Sequence, residues 1–324
     1  MSQPYSIGID FGGTSVKLAR VLPDGAIAAR ASFATAGLDG VDGWLAAVAD
    51  TLSTLCPGGL ADPDFAAVGV GVPGFVDFDR GFVHDLTNVP GWTAVPLADR
   101  LSALLHRPAV VENDVNAMTA GECAAGAGRS YRHAIFLTLG TGVGGGVLIN
   151  GALYRGAHSM AGEIGHVSID MNGIASPMGR GGVEQYVGNR RLVERALAAI
   201  DAGRASSILS LAGGDRGAVT PKTISQAAAA GDPLALEIFD FAADCLATMM
   251  ASCAYLLQPE AFIVGGGVSA AGPILFDPLK KHLSERLTPH FYTRLKVVPA
   301  ALGNDAGMIG CGLLALRKAD ILPD

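Results

Sequence analysis

The sequence predicts an α/β protein of two duplicated domains, each of βββαβαβα order, with a ligand cleft between them. Three observations predict it. Short apolar, β-rich runs alternate with helical stretches along the chain. The length of 324 residues is too great for one ordinary core and suits two. Glycine-ended segments also recur in the same order. IGIDFGGT at 7–14 matches IFLTLGTG at 135–142, and VGVGVPGF at 68–75 matches FIVGGGVS at 262–269. Asn113–Asp114 before one helix matches Asn304–Asp305 before another. The expected domains are residues 1–114 plus 305–324, the smaller, and residues 115–304, the larger, with a helical insertion.

In the first half, residues 5–11 (YSIGIDF) and 15–22 are apolar strands, and Asp24–Gly25 is a hairpin signal leading to a third strand at 26–33. Val41, Trp44, Leu45, Val48, Leu52 and Leu55 recur at helical spacing and predict a helix over 41–55. A buried strand at 66–72 ends at Pro73–Gly74, and a helix at 96–106 precedes a strand at 108–112. The second half restarts with strands at 133–139 and 143–149 and a turn at Asn150–Gly151. A helical region over 183–257 follows, then a strand at 261–264, a helix at 273–287, a strand at 295–299 and a last helix at 305–318.

Composition narrows the function. Half the residues are hydrophobic and 16% are charged, enough for a large interior. The net charge is −7 and no Lys/Arg run marks a nucleic-acid surface, so no nucleic-acid partner is expected. Any phosphate has to be held by local backbone N–H groups rather than by a long-range field. The five cysteines are odd in number and widely spaced, without a C-x-x-C pair, which points to a reducing compartment, hence a cytoplasmic location. The start, MSQPYSIGID, carries no basic region followed by a long apolar run. No signal peptide, spanning helix or membrane partner is expected.

Five motifs carry chemistry. Asp10-Phe11-Gly12-Gly13-Thr14 sits at a strand-to-strand turn, where glycines aim backbone N–H groups at an anion and Thr14 adds a hydroxyl. Asp10 is placed to serve Mg²⁺, and Lys17 either neutralises phosphate charge or is an exposed strand lysine. Alone, the motif is equally a glycine-rich hairpin. Gly140-Thr141-Gly142, at the matched place in the second half, makes a paired phosphate turn the better reading. Gly265-Gly266-Gly267 ends a buried strand and offers flat access for adenine and ribose, or is simply a tight strand-to-helix turn. Asn113–Asp114 stands where a strand meets a helix, so Asp114 is a general base, a helix N-cap, or both. Gly162-Glu163-Ile164-Gly165-His166 pairs an acid with an imidazole suited to vicinal hydroxyls, against the plainer reading of a structural histidine. There is no G-x-x-x-x-G-K-[ST] and no G-x-G-x-x-G opening a helix after the first strand, which disfavours P-loop and dinucleotide-binding folds.

Together DFGGT, LGTGVGGG and GEIGH resemble the ROK family of sugar kinases, over nearly the whole span from Asp10 to Asp305. The resemblance implies an actin-like (ribonuclease H-like) fold and a cytoplasmic hexose kinase using ATP and Mg²⁺, with sugar and ATP as its small-molecule partners. It implies Asp114 as base. Gly74, Asn88, Asn113, Glu163, His166 and Glu184 would contact sugar, and Asp10, Gly12, Gly13, Thr14, Lys17, Gly140, Thr141, Gly142, Gly265, Gly266 and Gly267 would hold the nucleotide. Glucose phosphorylated at the 6-hydroxyl is the favoured substrate. N-acylhexosamines, mannose, fructose and allose remain alternatives, as does polyphosphate for ATP. A non-catalytic sugar sensor is disfavoured by the presence of Asp10 and Asp114. A sugar-responsive repressor is disfavoured because no helix-turn-helix is expected before Asp10. The resemblance also implies a homodimer. In one respect the chain departs from the family: the zinc loop C-x-C-G-x-x-G-C-x-E is replaced by the cysteine-free stretch Ala175–Glu184. Zinc is therefore expected to be absent, since His166 alone cannot build a four-ligand site.

Overall fold

The computed structural model describes residues 3–86, 89 and 91–323. The chain folds into two compact units. The first takes the chain up to Arg132, Gly146–Gly162, and the segment from Ala300 onward; the second takes His133–Gly145 and Glu163–Pro299.

The first unit opens with β1 (Tyr5–Phe11), β2 (Ser15–Val21) and β3 (Ile27–Ala34). Gly25 at φ +84° and the Ala26 N–H on Asp24 Oδ1 (2.9 Å) close the expected hairpin. α1 (Gly40–Leu55) buries Trp44, Leu45, Val48, Leu52 and Leu55, the face its spacing predicts. β4 (Phe65–Val72) follows. β5 (Gly74–Asp77), β6 (Phe82–Leu86) and β7 (Thr93–Val95) then form a separate antiparallel sheet. α2 (Leu97–Leu105), β8 (Ala109–Asn113) and α3 (Asp114–Ala125) complete this stretch. The main sheet has the order β3-β2-β1-β4-β8, with β1, β4 and β8 mutually parallel. On one face, Phe11 packs against both Trp44 and Trp92, at ring-centroid distances of 5.3 and 4.9 Å, in a three-ring cluster. That anchors the residue directly after Asp10.

The second unit carries β9 (Ala134–Leu139) and the start of β10 (Val143–Ile149); within β10 the chain passes into the first unit, where β10 pairs with β11 (Ala152–Tyr154). β12 (Ala175–Ser176) and β13 (Gly179–Arg180) form a two-residue hairpin. The helical region resolves into α4 (Glu184–Val187), α5 (Asn189–Asp201), α6 (Ile208–Leu211), α7 (Pro221–Ala229) and α8 (Pro233–Leu257). Proline at the first positions and the Thr220 and Asp232 caps start the last two. β14 (Ala261–Gly265), α9 (Pro273–Arg286), α10 (Pro289–Tyr292) and β15 (Lys296–Pro299) follow. The second sheet has the order β11-β10-β9-β14-β15, the same plan as the first.

α11 (Ala306–Lys318) returns to the first unit and closes the face of the sheet opposite Trp44. It lies at backbone contact. A Cβ at Gly8 would collide with the Met308 carbonyl, and one at Gly69 with the Cys311 carbonyl. One at Gly310 would strike the Ala117 carbonyl of α3. Three glycines thus let a helix sink between a sheet and another helix, one reason the chain is rich in them. The compact units are drawn differently from the domain limits expected at 114/115 and 304/305, because α3 packs on α11 in the first unit. The five cysteines are free. Among the described residues no helix is long and apolar enough to cross a membrane.

Candidate functional site

In the first unit the candidate residues gather at the carboxyl ends of the parallel strands, where α/β sheets hold their ligands. Asp10 ends β1 beside Lys17 on β2, with 3.6 Å between ammonium and carboxylate. Burial pushes the Asp10 carboxyl above its ordinary range, against the pull of Lys17. A buried carboxylate of this kind, with one cation at the longer end of ion-pair distance, fits a second positive charge such as Mg²⁺. Gly12 is tied by its N–H to the Ser15 carbonyl (3.0 Å) and by its carbonyl to the Thr35 hydroxyl (2.8 Å). Gly13 and Thr14 are exposed at the tip. A cavity of about 290 Å³ beside Gly13 is lined in part by Thr35, Gly37, Leu38 and Trp92. The 35–38 segment carries no motif in the sequence; its Gly37 adopts a positive φ of +87°.

Asn113 ends β8 and caps α3. Its Oδ1 accepts the Val115 and Asn116 N–H groups (2.9 and 3.1 Å), and its Nδ2 donates to the Gly74 carbonyl (3.2 Å). The cap therefore falls on Asn113, not on Asp114. Asp114 is the first helical residue, half-buried, with Oδ1 2.9 Å from the Val115 N–H. The positive end of α3 favours a carboxylate there. Behind the pair lies Glu112, part of the same motif but given no role from the sequence; it is buried. Its Oε1 accepts the Asn113 N–H (3.0 Å) and the Asn116 amide (3.2 Å), and its Oε2 takes Arg155 Nε at 2.7 Å. Burial pushes the Glu112 carboxyl up despite Arg155. Forty-three residues separate the partners, so no local pattern announces the pair. Asn88 lies outside the described residues.

In the second unit the candidates converge on Val143. Its N–H bonds Glu184 Oε2 at 3.0 Å, and a Cβ at Gly142 would run into the same carboxylate. Gly165 lies against the Val143 carbonyl, which seats the turn Ile164–His166. His166 Nε2 stands 3.6 Å from the Glu163 carboxylate. The Gly140 N–H bonds the Gly142 carbonyl (2.9 Å), and the Asn189 N–H bonds Gly140 (2.9 Å), fixing the turn to the start of α5. Gly266, at φ +86°, presses on the Leu139 backbone just before Gly140, so the Gly265–Gly267 corner and the Gly140–Gly142 turn are neighbours.

The loop after His166 does not fit zinc, for no cysteine lies between His166 and Tyr186. It is held by hydrogen bonds instead. The Tyr186 hydroxyl accepts the Ile174 N–H (3.2 Å) and donates to Asp170 (3.4 Å). Backbone bonds join Ile169 to Gly181, Gly181 to Ile174 and Val183 to Val167. Gly181, at φ +73°, sits where a Cβ would collide with the Asp170 carbonyl.

With this geometry in hand, the chain can be set beside known proteins. The ROK family profile matches residues 6–318. A glucokinase of Halalkalibacterium halodurans is 35% identical over 320 residues, covering 98% of this chain and 97% of the relative. A glucokinase of Thermotoga maritima is 35% identical over 312 residues, covering 96% and 97%. The crystal structure of a ROK family glucokinase from Streptomyces griseus in complex with glucose and AMPPNP superposes with a TM-score of 0.81 at 35% identity, covering 97% and 99%.

Proposed function

The chain belongs to the ROK family, and we propose that it is an ATP-dependent hexose kinase that phosphorylates glucose at the 6-hydroxyl. The observation that carries the reading is Asp114: a half-buried carboxylate on the first residue of α3, just past the carboxyl end of β8, beside the Asn113 cap. The whole-length similarity to glucokinases of two bacteria supports glucose as the sugar.

On this reading Asp114 accepts the proton of the 6-hydroxyl as its oxygen attacks the γ-phosphorus of ATP. The phosphoryl group moves to the sugar oxygen and ADP departs. A carboxylate suffices as the base when the proton leaves late, after the new bond has begun to form. Asn113 offers Nδ2 to a neighbouring hydroxyl. Glu163, His166 and Glu184 hold further hydroxyls, Glu184 through Oε1, and Gly74 and Asn88 belong to the same set. The turns present the N–H groups of Gly13, Thr14, Thr141 and Gly142 to the phosphates, those of Gly12 and Gly140 being bonded within the turns; Lys17 adds charge, and Gly265–Gly267 lie under the nucleoside. Asp10 would hold Mg²⁺, which when bound neutralises phosphate charge. The enzyme acts in the cytoplasm as a homodimer, without nucleic-acid or membrane partners. It carries no stoichiometric zinc; one zinc per chain by elemental analysis, lost with stability in His166→Ala, would overturn that.

The test of the function is a panel of hexoses and N-acylhexosamines assayed with ATP and Mg²⁺, and with polyphosphate in place of ATP. Glucose with ATP is expected to give the highest kcat/KM. A higher value for any N-acylhexosamine, or for polyphosphate, would reassign the substrate; no turnover of any sugar would remove the kinase reading.

A further inference from the structure

A cavity of about 770 Å³ opens in the first unit where the carboxyl ends of α3 and α11 meet the turn between β10 and β11. It is separate from the candidate site, because Asp114 begins α3 while Ala124 at its other end lines the cavity, about 15 Å away at 1.5 Å per residue. Arg129, Arg132, Arg155, Arg317 and Lys318 line it, against the single acid Asp320. In a chain of net charge −7 this is a local excess of positive charge. The floor is apolar, formed by the buried Val110, Leu148 and Leu314. Nε of Arg317 is buried with no hydrogen-bond partner. A buried guanidinium N–H without an acceptor is costly, so a rotation of Arg317 that brings it onto an anion in the cavity is favoured.

These features select one kind of ligand. Guanidinium forks match phosphate oxygens two at a time, better than an ammonium does. The volume falls in the range of small-molecule sites. The cavity's size limits the ligand to a small molecule, and the apolar floor meets the C–H faces of its carbon body. Arg155 connects the cavity to the catalytic pair. Its guanidinium carbon lies 3.5 Å from the centroid of Phe78, and its Nε bonds Glu112, which in turn holds the Asn113 N–H and the Asn116 amide. An anion in the cavity shares the charge of Arg155 with a buried carboxylate that depends on it.

We propose that this cavity binds a sugar phosphate and that its occupancy lowers turnover by drawing Arg155 away from Glu112, loosening the seat of Asn113 and Asp114. The relay rests on the kinase reading; the binding does not.

Calorimetric titration of the full-length protein with glucose 6-phosphate and with fructose 1,6-bisphosphate tests it, in the presence of saturating glucose and a non-hydrolysable ATP analogue. One further binding event is expected for at least one probe. The double variant Arg129→Ala/Lys318→Ala, at two exposed positions, is expected to weaken it about tenfold with basal kcat unchanged. The same probe should lower wild-type kcat at least about twofold, while Arg155→Lys, which keeps the charge and loses the fork, binds the probe without that response. No binding of either probe at millimolar concentration, binding unaltered in the double variant, or equal inhibition of Arg155→Lys overturns the proposal. Kinase activity without this binding removes the present inference alone; binding without activity toward any sugar removes the kinase reading alone.

Discussion

In the first half of the chain Asp10 ends β1 and faces Lys17; at the matched places in the second half stand Thr138, near the end of β9, and Gly145. Behind β1, Gly8 admits a helix to backbone contact, whereas its counterpart is Phe136. The two sheets share strand order and turn position, so the backbone plan has been copied while the charges have not. The carboxylates assigned to proton and cation both lie in the first unit. The Gly140–Gly142 turn carries no charged side chain, and the Glu184 carboxylate beside it is bonded to the Val143 N–H. The repeat keeps the strand order and changes the side chains it carries.

Four substitutions can break or sharpen that contrast. Asp114→Asn keeps the shape and removes the proton acceptor, so kcat should fall by about 10²–10⁴ or more with glucose affinity retained. Asp305→Asn, at the matched position in the second half, breaks only an exposed pair with Arg30 and should leave kcat nearly unchanged. Near-normal turnover in the first, or a comparable loss in the second, removes the asymmetry. Next, Gly8→Ala drives a methyl into the Met308 carbonyl and should lower unfolding stability in urea by about 1–3 kcal/mol. Gly13→Ala meets nothing within 4 Å and should stay within about 0.5 kcal/mol of wild type.

Asp10→Asn should act on stability and activity in opposite directions. Burial raises the native carboxyl, so the folded protein keeps this proton to a higher pH than the unfolded chain. Stability therefore falls as pH rises from the unfolded pKa through the raised native one, and the charged form is a burden at neutral pH. The variant should show a higher urea midpoint than wild type at pH 7, a gap that closes on acidification, together with loss of Mg²⁺-dependent turnover. Equal midpoints at pH 7 would count against a burdened Asp10. The smallest effect is expected from Tyr186→Phe, which removes two long hydrogen bonds in the loop after His166 and should cost about 0.5–1 kcal/mol, read as a modest loss of thermal stability.

What could be read in advance followed periodicity and repetition. Both strand triplets' first members, the hairpin at Asp24–Gly25 and the amphipathic face of α1 announce themselves locally, and the repeated glycine turns imply the repeated sheet. The short strands β5–β7 and β11 do not. They run for three to five residues, some through Gly, Asp and His, and draw their shape from pairing rather than from pattern. The stretch over 183–257 reads as one helical region because α4 and α6 are single turns, too short to show a period. At the site, motif residues were legible where chemistry is concentrated in a few neighbours. The support under Asn113–Asp114 was not, because Arg155 reaches Glu112 from β11's far end and only the fold brings them together. Similarly, Asn113 rather than Asp114 caps α3, a choice made by the ψ of 145° at Asn113 and not by composition.

The seat of α11 has a consequence for how the chain is made. The helix occupies residues 306–318, yet it fills the groove bounded by β1, β4 and α3, whose residues leave the ribosome about two hundred or more positions earlier. Gly8 and Gly69 are left facing an empty slot until residues 306–318 have been synthesised. The nascent first unit is thus an open sheet with one bare face, while most of the second can already close on itself. Synthesis at about 5–20 residues per second leaves that face exposed for many seconds. Deleting the final helix would hold it open permanently, yielding a chain that seeks chaperones or aggregates and not a truncated enzyme.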